Sequence, residues 1–220
     1  MRKTVYHRRM LKLKPLVLTP LLSLCLAVSA AVAGPVDKSL PTVTPVPYDP
    51  LLHHEIDFET GALWRVGHNG TPLDYTILPQ IITWKSPEAF GWNVGSGRLG
   101  FRHRISLLLE PIVEGPEDYY FGIAGSGTLE WWNAPRDFSL FFAAGGGVGW
   151  MDSKGYEVEG AQGQDLNFNW FLYSGARFMV AERCSVALGL YYQHVSNLDQ
   201  DDVNPGIDAL GPMLSFGWHF

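Results

Sequence analysis

A histidine and a serine stand two residues apart in Gln193-His194-Val195-Ser196-Asn197. An acid closes the nearby run Asn204-Pro205-Gly206-Ile207-Asp208. Serine, histidine and carboxylate are the parts of a nucleophilic relay, in which the serine attacks, the histidine moves the proton and the acid orients the ring. On a β-strand, residues two apart share a face, so His194 and Ser196 point the same way. What they can do depends on where that face looks, and the rest of the chain has to settle this.

The chain opens with Arg2, Lys3, Arg8, Arg9, Lys12 and Lys14, then an apolar run from Leu16 to Leu26, then Ala31-Val32-Ala33 before Gly34. A basic start, an apolar stretch and a small-residue cleavage site describe a secretory signal peptide over 1–33. Met10 is a second candidate start. Arg8-Arg9 with the residues after it resembles a twin-arginine signal, while Pro15 and the apolar core fit the general route equally well. Cys25 follows Leu24 rather than a small residue, so it is not a lipoprotein site.

Cleavage removes six of the 16 Lys+Arg and none of the 22 Asp+Glu, leaving a net charge of −12. That sign argues against nucleic acid as a partner. Cys184 is then the one remaining cysteine, so no internal disulfide holds the exported chain. No apolar run after Leu26 is long enough for a transmembrane helix. Yet 46% of the residues are apolar, with 8 Trp, 9 Tyr, 12 Phe and 24 Gly, the balance of an outer-membrane β-barrel.

Residues 34–50 carry five prolines and read as an extended lead, which leaves 51–220 for the barrel. Seven segments there alternate in polarity. Phe101, Ile105, Leu107 and Leu109 alternate with Arg102, Arg104, Ser106 and Glu110, and Val186, Leu188, Leu190 and Tyr192 alternate with Ala187, Gly189, Tyr191 and Gln193. A less regular stretch from Tyr75 to Trp84 supplies an eighth. The sequence therefore predicts an all-β fold, an eight-stranded antiparallel transmembrane β-barrel. Apolar side chains face lipid. Small and charged ones, including Glu55, Asp57, Arg65, Arg102, Arg104, Glu110, Glu130 and Arg177, fill the lumen. A soluble sheet with solvated charges is the competing reading. The ending Leu214, Phe216, Trp218, Phe220 favours the barrel, because it resembles the signal read by the barrel assembly machinery.

Connections at 133–137 and 180–183 are short and belong on the periplasmic side, whereas those at 151–165 and 198–207 are long and belong outside. Lys85 to Arg98 is long for a periplasmic turn, and part of it is expected to extend the flanking strands. His194 and Ser196 share the parity of Val186 and Leu188. Asp208 shares that of Leu210 and Phe216. All three therefore meet on the lipid face, near the outer leaflet. Polar groups placed there are costly unless they pair or act. The plain alternative is that they sit among headgroups, where polar residues are ordinary.

At these residues the chain resembles the lipid A 3-O-deacylases of the PagL type, eight-stranded outer-membrane hydrolases. Their signature is His-x-Ser-Asn at the end of the seventh strand, then an Asn and an acid opening the eighth. Here that is His194-Val195-Ser196-Asn197, then Asn204 and Asp208. The resemblance implies that Ser196 attacks an ester of lipid A in lipopolysaccharide, His194 moves the proton and Asp208 holds the ring. The family's acid is typically Glu, so the shorter Asp208 requires a closer backbone or a bridging water. Asn197, Asn204 and the Gly206 amide become the candidate oxyanion donors. Asn197 also reads as a loop-entry residue, and Asn204-Pro205-Gly206 as ordinary turn chemistry. No cofactor or metal is needed. Asp199, Asp201 and Asp202 match no ligand spacing and read as a solvated loop. A non-catalytic barrel, structural or adhesive, and a lipid A acyltransferase are the alternative readings. A homodimer would hide the lipid-facing site, but nothing in the sequence demonstrates one.

Overall fold

The computed structural model describes residues 48–67 and 70–220. The signal segment at 1–33 and most of the Pro-rich lead lie outside the described residues. The lead's last residue, Pro50, instead opens a 3-10 turn (Pro50–Leu52), capped by Asp49, whose Oδ1 accepts the Leu51 N–H at 3.1 Å.

Eleven strands follow among the described residues, in chain order: β1 (Glu55–Gly61), β2 (Leu63–Arg65), β3 (Thr76–Ile77), β4 (Gln80–Lys85), β5 (Phe90–Val94), β6 (Gly97–Glu114), β7 (Tyr119–Trp132), β8 (Phe138–Met151), β9 (Leu166–Ala181), β10 (Cys184–Ser196) and β11 (Ile207–His219). They make eight antiparallel staves of a closed barrel. β1 and β2 together form the first stave, and β3 and β4 the second. Pro79 interrupts the second because it has no N–H to give to a ladder, and the neighbouring Leu78 N–H reaches Pro111 O at 2.8 Å instead. β6 to β11 are the remaining six. Closure comes from β1 against β11, in register from Glu55 opposite His219 to Gly61 opposite Met213. The last residue extends that seam: His54 and Phe220 exchange backbone hydrogen bonds at 3.1 and 2.9 Å, and their rings stack.

The overlong connection after Lys85 is a hairpin. β5 pairs with the first residues of β6, from Phe90 opposite Phe101 to Val94 opposite Gly97. That length is ordered strand rather than loop, as expected for an extension of a flanking strand.

Alternation sets the two faces. Ile105, Leu107, Phe121, Ile123, Leu140, Phe142, Trp170, Leu188 and Trp218 are exposed on the outside. Their opposite-parity neighbours are buried in the lumen. No helix among the described residues is long and apolar enough to cross a membrane, so the strands carry the apolar surface.

The lumen is filled, not open. Near the short-turn end, Glu55, Asp57, Glu59 and Glu130 meet Lys85, Arg102, Arg104 and Arg177, all buried. Arg102 reaches Glu55 at 2.6 Å, Lys85 reaches Asp57 at 2.7 Å, Arg177 pairs with Glu55 and Asp57, and Arg104 pairs with Glu59. Four charges of each sign cancel, which is what burying them demands. Of the two other expected lumen charges, Glu110 is buried and accepts from Gln193 Nε2 at 2.7 Å, whereas Arg65 sits higher and is only half-buried; its guanidinium donates to Gly67 O and Thr71 O, both at 3.1 Å. Nearer the long-loop end, Phe141, Phe171, Tyr173, Tyr191 and Tyr120 pack as an aromatic core. The two layers make the barrel a stiff wall on which an outward site can be held.

Candidate functional site

β10 and β11 run antiparallel with His194 directly opposite Asp208. Side chains of such a pair stand roughly 5 Å apart at Cβ, so a carboxylate needs no extra carbon to reach a neighbouring imidazole. The Nδ1–Oδ1 distance is 2.8 Å. The short acid therefore contacts the ring directly, with no bridging water. An ionised carboxylate only accepts, so the proton in this bond sits on Nδ1, and Nε2 is the nitrogen left for other work.

Both side chains lie on the outward face. His194 is 27% exposed and Asp208 21%. On the other side of the ring, Trp170 of β9 stands opposite His194, and the rings are 5.8 Å apart. Trp170 also packs on Tyr192 at 5.0 Å. The imidazole is thus set between an indole and a carboxylate.

Ser196 ends β10 opposite Phe168 and is 7% exposed. Among the described residues its Oγ has no hydrogen-bond partner, His194 included. The structure brings His194 and Asp208 into contact. It leaves Ser196 two residues along the same strand, roughly 6–7 Å away along the chain.

The three other expected site residues divide. The Asn197 N–H donates to Asn204 Oδ1 at 3.0 Å and Asn197 Nδ2 to Val203 O at 3.1 Å. Asn204 Nδ2 donates to Asp199 Oδ1 at 2.8 Å. The two asparagines tie the β10–β11 loop to itself, and each side-chain amide keeps one further hydrogen. Asn197 is fully buried, on the strand parity opposite to that of His194. Gly206 has φ +70°, a left-handed conformation that suits glycine. It lies against the imidazole, since a Cβ there would stand 3.2 Å from His194 Cε1. Its N–H has no acceptor among the described residues.

Sequence reasoning missed the chain that braces this loop. Thr71, in the connection from β2 to β3, donates its N–H to Gly206 O at 2.8 Å and its hydroxyl to Gly160 O at 2.6 Å. Gly70 beside it passes so close that a Cβ would stand 2.9 Å from Gly206 O and 3.5 Å from Asp208 Oδ2. The β8–β9 loop joins from the other side, through Gly163 N–H to Val203 O at 3.0 Å and Tyr156 Oη to Asp201 at 3.0 Å. Glu117 accepts the Tyr75 hydroxyl at 2.6 Å and the Gln162 N–H at 2.8 Å. Burial holds the Tyr75 phenol well above its ordinary range, so it stays a donor. Asp199 and Asp201 are engaged with Asn204, Tyr156 and the Val203 N–H.

A closed eight-stranded barrel with an apolar outer wall and a histidine–carboxylate pair on that wall is a small outer-membrane-type barrel. The model of the lipid A 3-O-deacylase (PagL) family matches residues 82–217, more than half of the chain and inclusive of all six expected site residues. The chain belongs to that family. No curated protein matches the sequence. Among solved structures, the outer membrane enzyme PagL aligns with 16% identity and a TM-score of 0.49, covering 73% of this chain and 97% of that one. Neisserial surface protein A aligns with 10% identity and a TM-score of 0.53, covering 76% and 97%. At such identity the latter match speaks for the fold alone.

Proposed function

We propose that this chain is an outer-membrane serine esterase that hydrolyses the 3-O-linked 3-hydroxyacyl chain of lipid A. Two supports converge: membership of the deacylase family, and a His194–Asp208 pair that leaves the imidazole Nε2 available on an outward, apolar wall. That pair is the observation that carries the reading. An ester in a lipid reaches such a wall without leaving the bilayer.

In this reading, Ser196 turns about χ1 towards the imidazole when substrate arrives; catalytic contacts are often loose without substrate. Ser196 Oγ attacks the ester carbonyl carbon as Nε2 takes its proton. The carbonyl oxygen becomes an oxyanion, and the Gly206 N–H, with the spare amide hydrogen of Asn204, lies on the loop that would receive it; Asn197, buried and turned inward, braces that loop instead. Collapse breaks the bond to the sugar oxygen, which leaves with the proton from Nε2. Water then gives its proton to Nε2 and attacks the acyl-serine. The hydroxy fatty acid departs and Ser196 regains its proton. Asp208 keeps the ring in one tautomer and stabilises its cation throughout. The long-loop end lies at the cell surface, which sets the pair at the outer leaflet. The final strand, ending in Phe220, is the segment read by the barrel assembly machinery.

Mass spectrometry of lipid A from cells expressing the chain tests this. Loss of one hydroxyacyl chain with wild type, and none with Ser196→Ala, is expected. Unchanged lipid A with folded wild type rejects the esterase, and a gain in mass indicates acyl transfer instead.

A further inference from the structure

We infer that Tyr192 is a positioning residue that fixes the Asp208 carboxylate for His194, an inference that rests on the esterase reading. Its parity places it on the outward stripe, where a tyrosine is ordinary belt chemistry. Its contacts are not ordinary. Tyr192 lies opposite Leu210, one diagonal step from Asp208, a span within reach of a long side chain. Its hydroxyl donates to Asp208 Oδ1 at 2.5 Å, the same oxygen that takes the His194 Nδ1–H at 2.8 Å. A bond of that length to a carboxylate is in the charge-assisted range.

The geometry explains why this chain has the tyrosine. An aspartate on a strand has two free torsions, and nothing in its own length aims Oδ1 at the ring. Oδ2 lies near Gly67 and Gly70 and accepts no hydrogen bond among the described residues. Among the described residues the carboxylate is oriented through Oδ1, by two donors, the Tyr192 hydroxyl and the His194 Nδ1–H. Tyr192 is itself held by the Trp170 ring at 5.0 Å, and Trp170 also flanks His194. Indole, phenol, carboxylate and imidazole form one ring of contacts, in which the phenol orients a carboxylate that already reaches the imidazole.

Tyr192→Phe keeps the ring packing and removes only the hydroxyl. With the full-length protein in detergent micelles and lipid A as substrate, kcat is expected to fall about tenfold with KM unchanged, the mark of a group that acts on the transition state. In an Asp208→Asn background the same substitution is expected to have no further effect, because coupled residues are not additive. The 15N shifts of the His194 ring read the tautomer without turnover: wild type should hold the Nδ1–H form, and Tyr192→Phe should mix the two forms. An unchanged kcat and tautomer, a rise in KM alone, or an equal fall in both backgrounds would overturn the inference. A wild type that releases no acyl chain, yet shifts tautomer on Tyr192→Phe, would reject the substrate and keep the positioning role.

Discussion

Among the described residues, two places bring a serine near a histidine–acid pair. On the outer wall these are the paired His194 and Asp208, with Ser196 two residues along β10 and only 7% exposed. In the lumen they are Ser185, His219 and Glu55, and there the serine and histidine are closer, with His219 Nε2 3.3 Å from Ser185 Oγ. Proximity alone would favour the lumen. The nitrogens favour the outer wall. Glu55 approaches the same Nε2 at 3.9 Å, while His219 Nδ1 has no partner. An acid and a serine on one nitrogen cannot relay a proton through the ring. Arg177 also donates to Ser185 Oγ at 2.7 Å, and His219 is fully buried. Outside, Asp208 takes Nδ1 and Nε2 has no partner among the described residues, on an outward and partly exposed face. The difference teaches that a relay is defined by which atom each partner occupies and by access, more than by distance.

That contrast can be broken most sharply at the two serines. Ser196→Ala should lower lipid A deacylation by at least ~1000-fold, since loss of a nucleophile removes nearly all turnover. Ser185→Ala should leave the rate per folded molecule within about twofold. A large loss from Ser185→Ala with folded barrel would put the chemistry in the wrong group.

The acids come next. Asp208→Asn should cost on the order of 10³–10⁴ in kcat and leave the unfolding midpoint in urea nearly unmoved. Glu55→Gln should do the reverse. It leaves Arg102 and Arg177 short of a partner in the lumen, at about 3–5 kcal/mol of stability, while activity per folded molecule stays within a few-fold. Equal losses of activity in both variants would erase the distinction between the two groups.

Smaller effects sharpen the outer group. Gly206→Ala puts a methyl against the His194 ring at a positive φ, and about tenfold lower kcat is expected with ~1–2 kcal/mol of strain. Thr71→Val keeps the N–H on Gly206 O but loses the hydroxyl bond to Gly160. About 1 kcal/mol and a few-fold loss of rate should follow.

Parity made much of this legible. The alternation around Val186 and Leu188 put His194 outside, and that around Phe216 put Asp208 beside it, because side-chain direction on a strand has a period of two; Ser196, expected on the same face, is only 7% exposed at the strand's end. The turn between the strands set His194 opposite Asp208. The Lys85–Arg98 hairpin was harder, since Trp92 and Phe90 belong to a strand that pairs only with the start of β6. Tyr192 was legible as an outward aromatic but not as a donor, because a hydroxyl 2.5 Å from a carboxylate on the next strand has no signature in spacing. Thr71 and Gly70 lie more than 120 residues from the motif, in an irregular connection without periodicity. The lumenal trio was hidden for the same reason. Glu55 and His219 are opposite one another only because the first stave closes on the last.

The most direct measurement is covalent. A serine-reactive fluorophosphonate, applied to the folded barrel in lipid vesicles and followed by peptide mass spectrometry, reports which hydroxyl is activated. Labelling at Ser196, lost in Asp208→Asn, is the expected result. Labelling at Ser185, or none on a folded barrel, would contradict the assignment of the chemistry to the outer wall.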